Sequence, residues 1–157
     1  MCVEYFNHRR FEEDYSLKVP DDEICLPMGN EITADVQYVF TNGQCHGLAV
    51  ALHELTGWPL FGLYRLPSYG WWDNRSKVTT HVVVEHPTGA VVDINGLRPV
   101  RFGEGMRPTT ANALLGGPKK DWLKPNMVLA RHFAQIVIRN IEGRSKKRKK
   151  EKSQKNS

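Results

Sequence analysis

No stretch of the 157-residue chain approaches the roughly 20 consecutive apolar residues that a membrane-spanning helix needs. The opening, MCVEYFNHRRFEEDYS, lacks the apolar centre of a secretory signal, so no such signal is expected there. Cysteine is scarce as well. The three present, Cys2, Cys25 and Cys45, are odd in number and irregularly spaced. They do not read as a disulfide framework, and a reducing, cytoplasmic setting is expected. No CxxC or HxxxH spacing marks a zinc site, and no internal repeat marks a solenoid. What is there is an ordinary globular composition, 40% hydrophobic and 25% charged, in a chain long enough to build a core without staples.

The net charge of +5 is unevenly placed. Residues 144–157, RSKKRKKEKSQKNS, carry eight Lys and Arg against one Glu, a net of +7. The other 143 residues carry 14 basic and 16 acidic side chains, a net of −2. A like-charged block without apolar residues has nothing to bury. Residues 144–157 are therefore expected as a disordered basic tail beside one domain over 1–143. Such a segment serves either to tether nucleic acid or another anionic surface, or only to keep the chain in solution.

Along the chain, residues 1–30 carry Pro20, Pro27 and Gly29 and read as irregular, with a short helix or strand near 5–15. ITADVQYVFTN reads as a short helix capped by Thr33, with Asp35 in its first turn and Val36, Val39 and Phe40 on one face. From Gln44 onward, apolar residues at 48, 52 and 55, with Ala49 and Ala51 beside them, have helical spacing, and Thr56-Gly57-Trp58-Pro59 stops the run. LFGLYRL reads as a strand and PSYGWWDNRSK as a loop. VTTHVVVEH and AVVDI read as a β-hairpin. RPVRFGEGMRPTTANALLGGPKKDWLKP reads mostly as loop, with a short helix near 110–115. NMVLARHFAQIVIRNIE reads as a closing helix with apolar positions 129, 133, 136, 137 and 141. The layout is α+β: a helical part, a small antiparallel sheet and a closing helix.

Cys45 stands where the second helix begins. A helix N-terminus offers unpaired N–H groups and the positive end of a dipole, which stabilise a thiolate and can also receive an oxyanion. A lone cysteine there equally suits a small buried apolar residue. The hairpin supplies a matching base. His-Pro-Thr-Gly-Ala suits a three-residue loop with Pro87 at the first corner and Gly89 in the left-handed bulge position. His86 then pairs with Ala90, Val84 with Val92, Val83 with Asp93 and His81 with Asn95. His81, Val83, Asp93 and Asn95 fall on one face, so either Asp93 or Asn95 can hold the His81 imidazole. A two-residue loop would put His81 and Asp93 on opposite faces.

Cysteine at a helix start, histidine on a strand and Asp or Asn on the next strand resembles the chain order of the papain-like cysteine peptidase superfamily, with its NlpC-like, transglutaminase-like and arylamine N-acetyltransferase branches. GQCHGLAVALHELTGWP and HVVVEHPTGAVVDINGL are similar to small bacterial and phage proteins of that group, over about residues 41–97. The resemblance implies a papain-like or NlpC-like fold, with a nucleophile helix packed on a small antiparallel β-sheet. It implies cysteine-dependent hydrolysis or acyl transfer on a peptide, other amide or ester substrate through a thioester. Cys45 would be the nucleophile, His81 the base and Asp93 its orienter, with no cofactor. The setting would be bacterial, phage-encoded in a host, or that of a delivered effector. In papain-like enzymes a glutamine several residues before the nucleophile donates to the oxyanion; here Gln44 directly precedes Cys45, and the N–H groups at 45 and 46 can serve alone.

His46, next to the nucleophile, is expected at the surface or in a supporting role, and His53 is expected to face solvent. Trp71 and Trp72 either line a substrate groove or pack their loop onto the body. Cys45, His81 and Asp93 are also zinc-ligand types, without the spacing of a zinc motif. The alternative to an enzyme is a catalytically silent module of the same fold whose basic segment does the binding.

Overall fold

The computed structural model describes residues 1–5, 22–66, 79–116 and 123–156. β1 (Cys2–Tyr5) and β2 (Asp22–Cys25) form an antiparallel pair. α1 (Ala34–Thr41) and α2 (Cys45–Thr56) follow. A five-stranded antiparallel sheet is built from β3 (Leu60–Arg65), β4 (Thr79–Glu85), β5 (Val91–Asp93), β6 (Gly96–Arg98) and β7 (Glu104–Pro108), in the order β6-β5-β4-β3-β7. A short α3 (Ala111–Leu115) and a long α4 (Met127–Lys155) complete an α+β fold.

The helix boundaries have local causes. Thr33 caps α1, its hydroxyl accepting from the Val36 N–H at 3.3 Å. α2 ends where Gly57 takes the left-handed conformation (φ +74°) and its N–H bonds the His53 carbonyl at 2.8 Å. Asn126 caps α4 through Leu129 N–H.

α2 is buried along nearly all of its first two turns. Leu48, Ala49 and Leu52 belong to one apolar cluster with Val82, Val84, Val92 and Ile94 of the sheet side and Leu129, Phe133 and Val137 of α4. The small residues let α2 approach closely: a Cβ at Gly47 would stand 3.0 Å from the Pro125 Cβ. The other face of the sheet has its own smaller cluster of Leu63, Val83 and Val91, with Phe61, Val100 and Met106 packed against it. Alternation along β4 thus sends Val82 and Val84 toward the helices and Val83 away from them.

The hairpin loop has the expected form. His86 N–H bonds the Ala90 carbonyl and Gly89 N–H the His86 carbonyl, both at 2.8 Å, with Gly89 at φ +84°. Val84 pairs with Val92 and Glu85 with Val91.

Four expectations are corrected. Residues 144–155 are not disordered but continue α4. Lys, Arg, Glu and Gln are good helix formers, and extending a nucleated helix costs far less than starting one. The segment read as loop from Arg98 onward contains β7, and β6 ends at its first residue; both strands are short and carry no apolar alternation, so β3 and β5 recruit them by pairing rather than by pattern. The first residues form β1 rather than irregular chain, and β1 pairs with β2. That pairing places Cys2 opposite Cys25, where they are joined in a disulfide. Cysteine count and spacing gave no sign of it, because the partners meet only once the two strands are side by side. Of the three cysteines, Cys45 is left as the free thiol.

Candidate active site

Cys45 is the first residue of α2 and is half-buried. The turn before it is anchored from inside. Gln44 is fully buried, its Nε2 donating to the Glu4 carbonyl at 3.0 Å and the Lys124 carbonyl at 3.2 Å, and its Oε1 accepting from the Asn126 N–H at 3.1 Å. One side chain therefore ties β1 and the approach to α4 to the start of α2. Both Nε2 hydrogens are spent on those carbonyls, so Gln44 holds the turn in place and has no donor left for an oxyanion.

His81 lies on β4 opposite Leu63, just before an irregularity in the β3–β4 ladder. Its Nε2 is 3.1 Å from Asp93 Oδ2, with the two side chains 15% and 5% exposed. Nδ1 is then the nitrogen left for Cys45. Asp93, rather than Asn95, meets the imidazole. The reason is a turn: Asp93 pairs with Gly96, so the chain reverses through Ile94-Asn95 and Asn95 leaves the face it was expected to share with His81. Asn95 contributes its backbone N–H instead, which donates to Asp93 Oδ1 at 2.8 Å. An Asx turn and a histidine contact thus occupy the two oxygens of one carboxylate.

Two residues that the sequence reading passed over complete the cluster. Arg98 Nε stands 3.7 Å from Asp93 Oδ2. Its Nη1 and Nη2 donate to the two Glu104 carboxylate oxygens at 3.0 and 3.2 Å, a bidentate fork that fixes the guanidinium. Glu104 also accepts from the Arg101 N–H at 2.9 Å. β6 and β7 were the strands without a pattern, and so the ion pair they bring together left no local signal.

The electrostatics follow from these contacts. Burial pushes the Cys45 thiol up, but hydrogen bonds with His46 and His81, the His81 charge and the Val82 backbone outweigh it and bring the thiol down to about 6. Burial alone would lower His81; hydrogen bonds and charge from Asp93 and Cys45 raise it to about 9. Burial raises Asp93, yet His81, the Asn95 N–H and Arg98 hold it below the usual carboxylate range. Between about 6 and about 9 the pair is a thiolate beside an imidazolium.

His46 is not at the surface: it is 1% exposed, beside the thiol. His53 is only half exposed and its Nδ1 lies 2.7 Å from the Trp58 carbonyl at the end of α2. Trp71 and Trp72 lie outside the described residues. Among the described residues no group of three or more His, Cys, Asp and Glu is arranged to hold a metal ion, and no helix is long and apolar enough to cross a membrane. A cleft of about 620 Å³ between α1, the β5–β6 turn and α4 is lined by Asn95 but by none of Cys45, His81 and Asp93.

No family model, curated protein or solved structure matches the chain.

Proposed function

We propose that the protein is a cysteine-dependent hydrolase or acyltransferase of papain-like type, acting on an amide or ester carbonyl through a thioester. The observation that carries the reading is one imidazole shared by a thiol and a carboxylate, with Asp93 3.1 Å from His81 and the Cys45 thiol, hydrogen-bonded to His81, brought down to about 6. An ordinary buried cysteine would instead have its thiol pushed up.

In this reading the Cys45 thiolate attacks the carbonyl carbon. Backbone N–H groups at the start of α2 receive the oxyanion, supported by the dipole. The His81 imidazolium protonates the leaving amine or alcohol as the tetrahedral adduct collapses to the thioester. Neutral His81 then takes a proton from water, or from an acceptor amine, as that nucleophile attacks the thioester and frees Cys45. Asp93 keeps the imidazole oriented and stabilises its charge, and the Arg98–Glu104 pair keeps Asp93 in place.

The test is intact-mass detection of a covalent adduct after exposure to an activated acyl ester and, separately, to a vinyl sulfone. Wild type should gain one adduct, localised to Cys45, and Cys45→Ala should gain none. Equal labelling of the two would remove the nucleophile and leave the silent binding module as the reading.

A further inference from the structure

The C-terminal part of α4 has no role in the thiol site, and its charge is laid out in an unusual way. Ile141 is the last buried residue of the helix, and every residue from Glu142 to Asn156 is exposed. Residues 144–155 then run about 18 Å as helix. With about 100° between successive residues, Arg144, Arg148, Lys152 and Lys155 form one stripe. Lys146 and Lys150 fall on the opposite side, and Lys147 and Lys149 on the two flanks. Glu151 is the single acid on this stretch. None of the eight cations forms an ion pair among the described residues.

A rod charged on all sides suits one kind of partner. A flat anionic membrane or an acidic protein face would meet one side and leave the opposite lysines in water. The rod also has no apolar face with which to enter a bilayer or a hydrophobic groove. A groove with anionic walls on both sides uses the two opposite stripes at once. The major groove of B-form DNA is about 12 Å wide and admits one α-helix, whereas the A-form groove of duplex RNA is too narrow for it. At the foot of the rod, Arg144 and Arg148 share the cleft beside the β5–β6 turn with Gln37, Asn95 and Asn140, and with one acid, Glu31.

We propose that residues 144–155 form a binding rod for duplex DNA, lying in the major groove and contacting phosphates of both walls. The binding is sequence-tolerant, because six of its eight cations are lysines, which act on phosphates as point charges rather than as planar forks. It does not depend on the thiol reading.

The experiment titrates the full-length protein against a fluorescent DNA duplex over a range of salt. Affinity should fall on the order of 10³-fold from about 50 to about 200 mM salt, as expected for about six neutralised phosphates. Arg144→Gln with Arg148→Gln, and separately Lys146→Gln with Lys150→Gln, should each flatten the slope of log affinity against log salt by about 2 and weaken binding to a similar extent. Duplex RNA of the same sequence and phosphatidylserine vesicles should compete poorly, and Cys45→Ala should bind as wild type does. If one pair carries all of the effect and the other none, the partner is a surface and the groove is refuted. RNA or vesicles competing as well as DNA, or a salt-insensitive complex, overturns it equally.

Discussion

The state of Cys45 can be read from one rate. Consider alkylation by iodoacetamide at pH 6, in the native chain and in the same chain unfolded in urea. Cys2 and Cys25 are joined, so Cys45 is the thiol that reacts in both samples. In the fold its pKa is about 6, so about half is thiolate, against an unperturbed 9.0 and about one part in a thousand once the contacts are lost. The native site therefore has roughly 500 times more thiolate. A less basic thiolate is also a weaker nucleophile, by about 0.4–0.5 log units per pKa unit, which returns roughly 20–30-fold over three units. The expected net advantage is about 20-fold for the native protein at pH 6, taking the partly exposed Cys45 as open to a small reagent. The native rate should reach half its plateau near pH 6, while the unfolded rate should still be rising at pH 8. A native chain that reacts no faster than the unfolded one at pH 6, or with its midpoint near 9, refutes the thiolate–imidazolium pair.

Asp93→Ala should lower kcat/KM for the acyl substrate by on the order of 10²-fold or more, because the imidazole loses its orienting partner, whereas Asn95→Ala keeps the backbone N–H that Asp93 uses and should change it less than about threefold; equal losses would give Asn95 a role of its own. Asp93 is held below its ordinary value in the fold, so its stabilisation is complete above the unfolded value and is lost as pH falls through the folded one. Asp93→Asn should therefore be less stable than wild type in urea at pH 7, with the two curves converging in acid; a gap that stays constant with pH would contradict the charge interaction. Gln44→Ala should cost about 2–4 kcal/mol in urea unfolding, since it strands the Asn126 N–H and the carbonyls of Glu4 and Lys124, and a loss under about 0.5 kcal/mol would show that the anchor is not needed. Cys2→Ser with Cys25→Ser should cost about 3 kcal/mol by freeing a closed loop of some two dozen residues in the unfolded chain, with no change in the Cys45 alkylation midpoint.

Local chemistry was sufficient for part of this structure. Thr33 before an apolar face, Thr56-Gly57 at a helix end and His86-Pro87-Thr88-Gly89-Ala90 in a hairpin each specify their own backbone within a few residues. The hairpin loop in turn fixes the register that puts His81 and Asp93 on one face, so a contact twelve residues apart was legible in the sequence. The start of α2 at Cys45 was legible for the same reason.

The tertiary structure decided whatever depends on segments meeting. Gln44 stands next to the nucleophile in the sequence, but Glu4, Lys124 and Asn126 approach it from both ends of the chain and take up its amide, so its role is to anchor the turn. Arg98 and Glu104 sit on strands without a hydrophobic pattern, and only pairing with β5 and β3 brings them beside Asp93. Asn95 left the imidazole face because Asp93 pairs with Gly96, and the tight turn this forces cannot be seen from alternation alone. Residues 144–155 kept helical backbone although they bury nothing, because the packed turns from Met127 to Ile141 supply the nucleus that a charged segment cannot form alone. Short-range sterics and hydrogen bonds are written residue by residue; partners far apart in the chain are selected only when the core closes and desolvation makes each unpaired polar group costly.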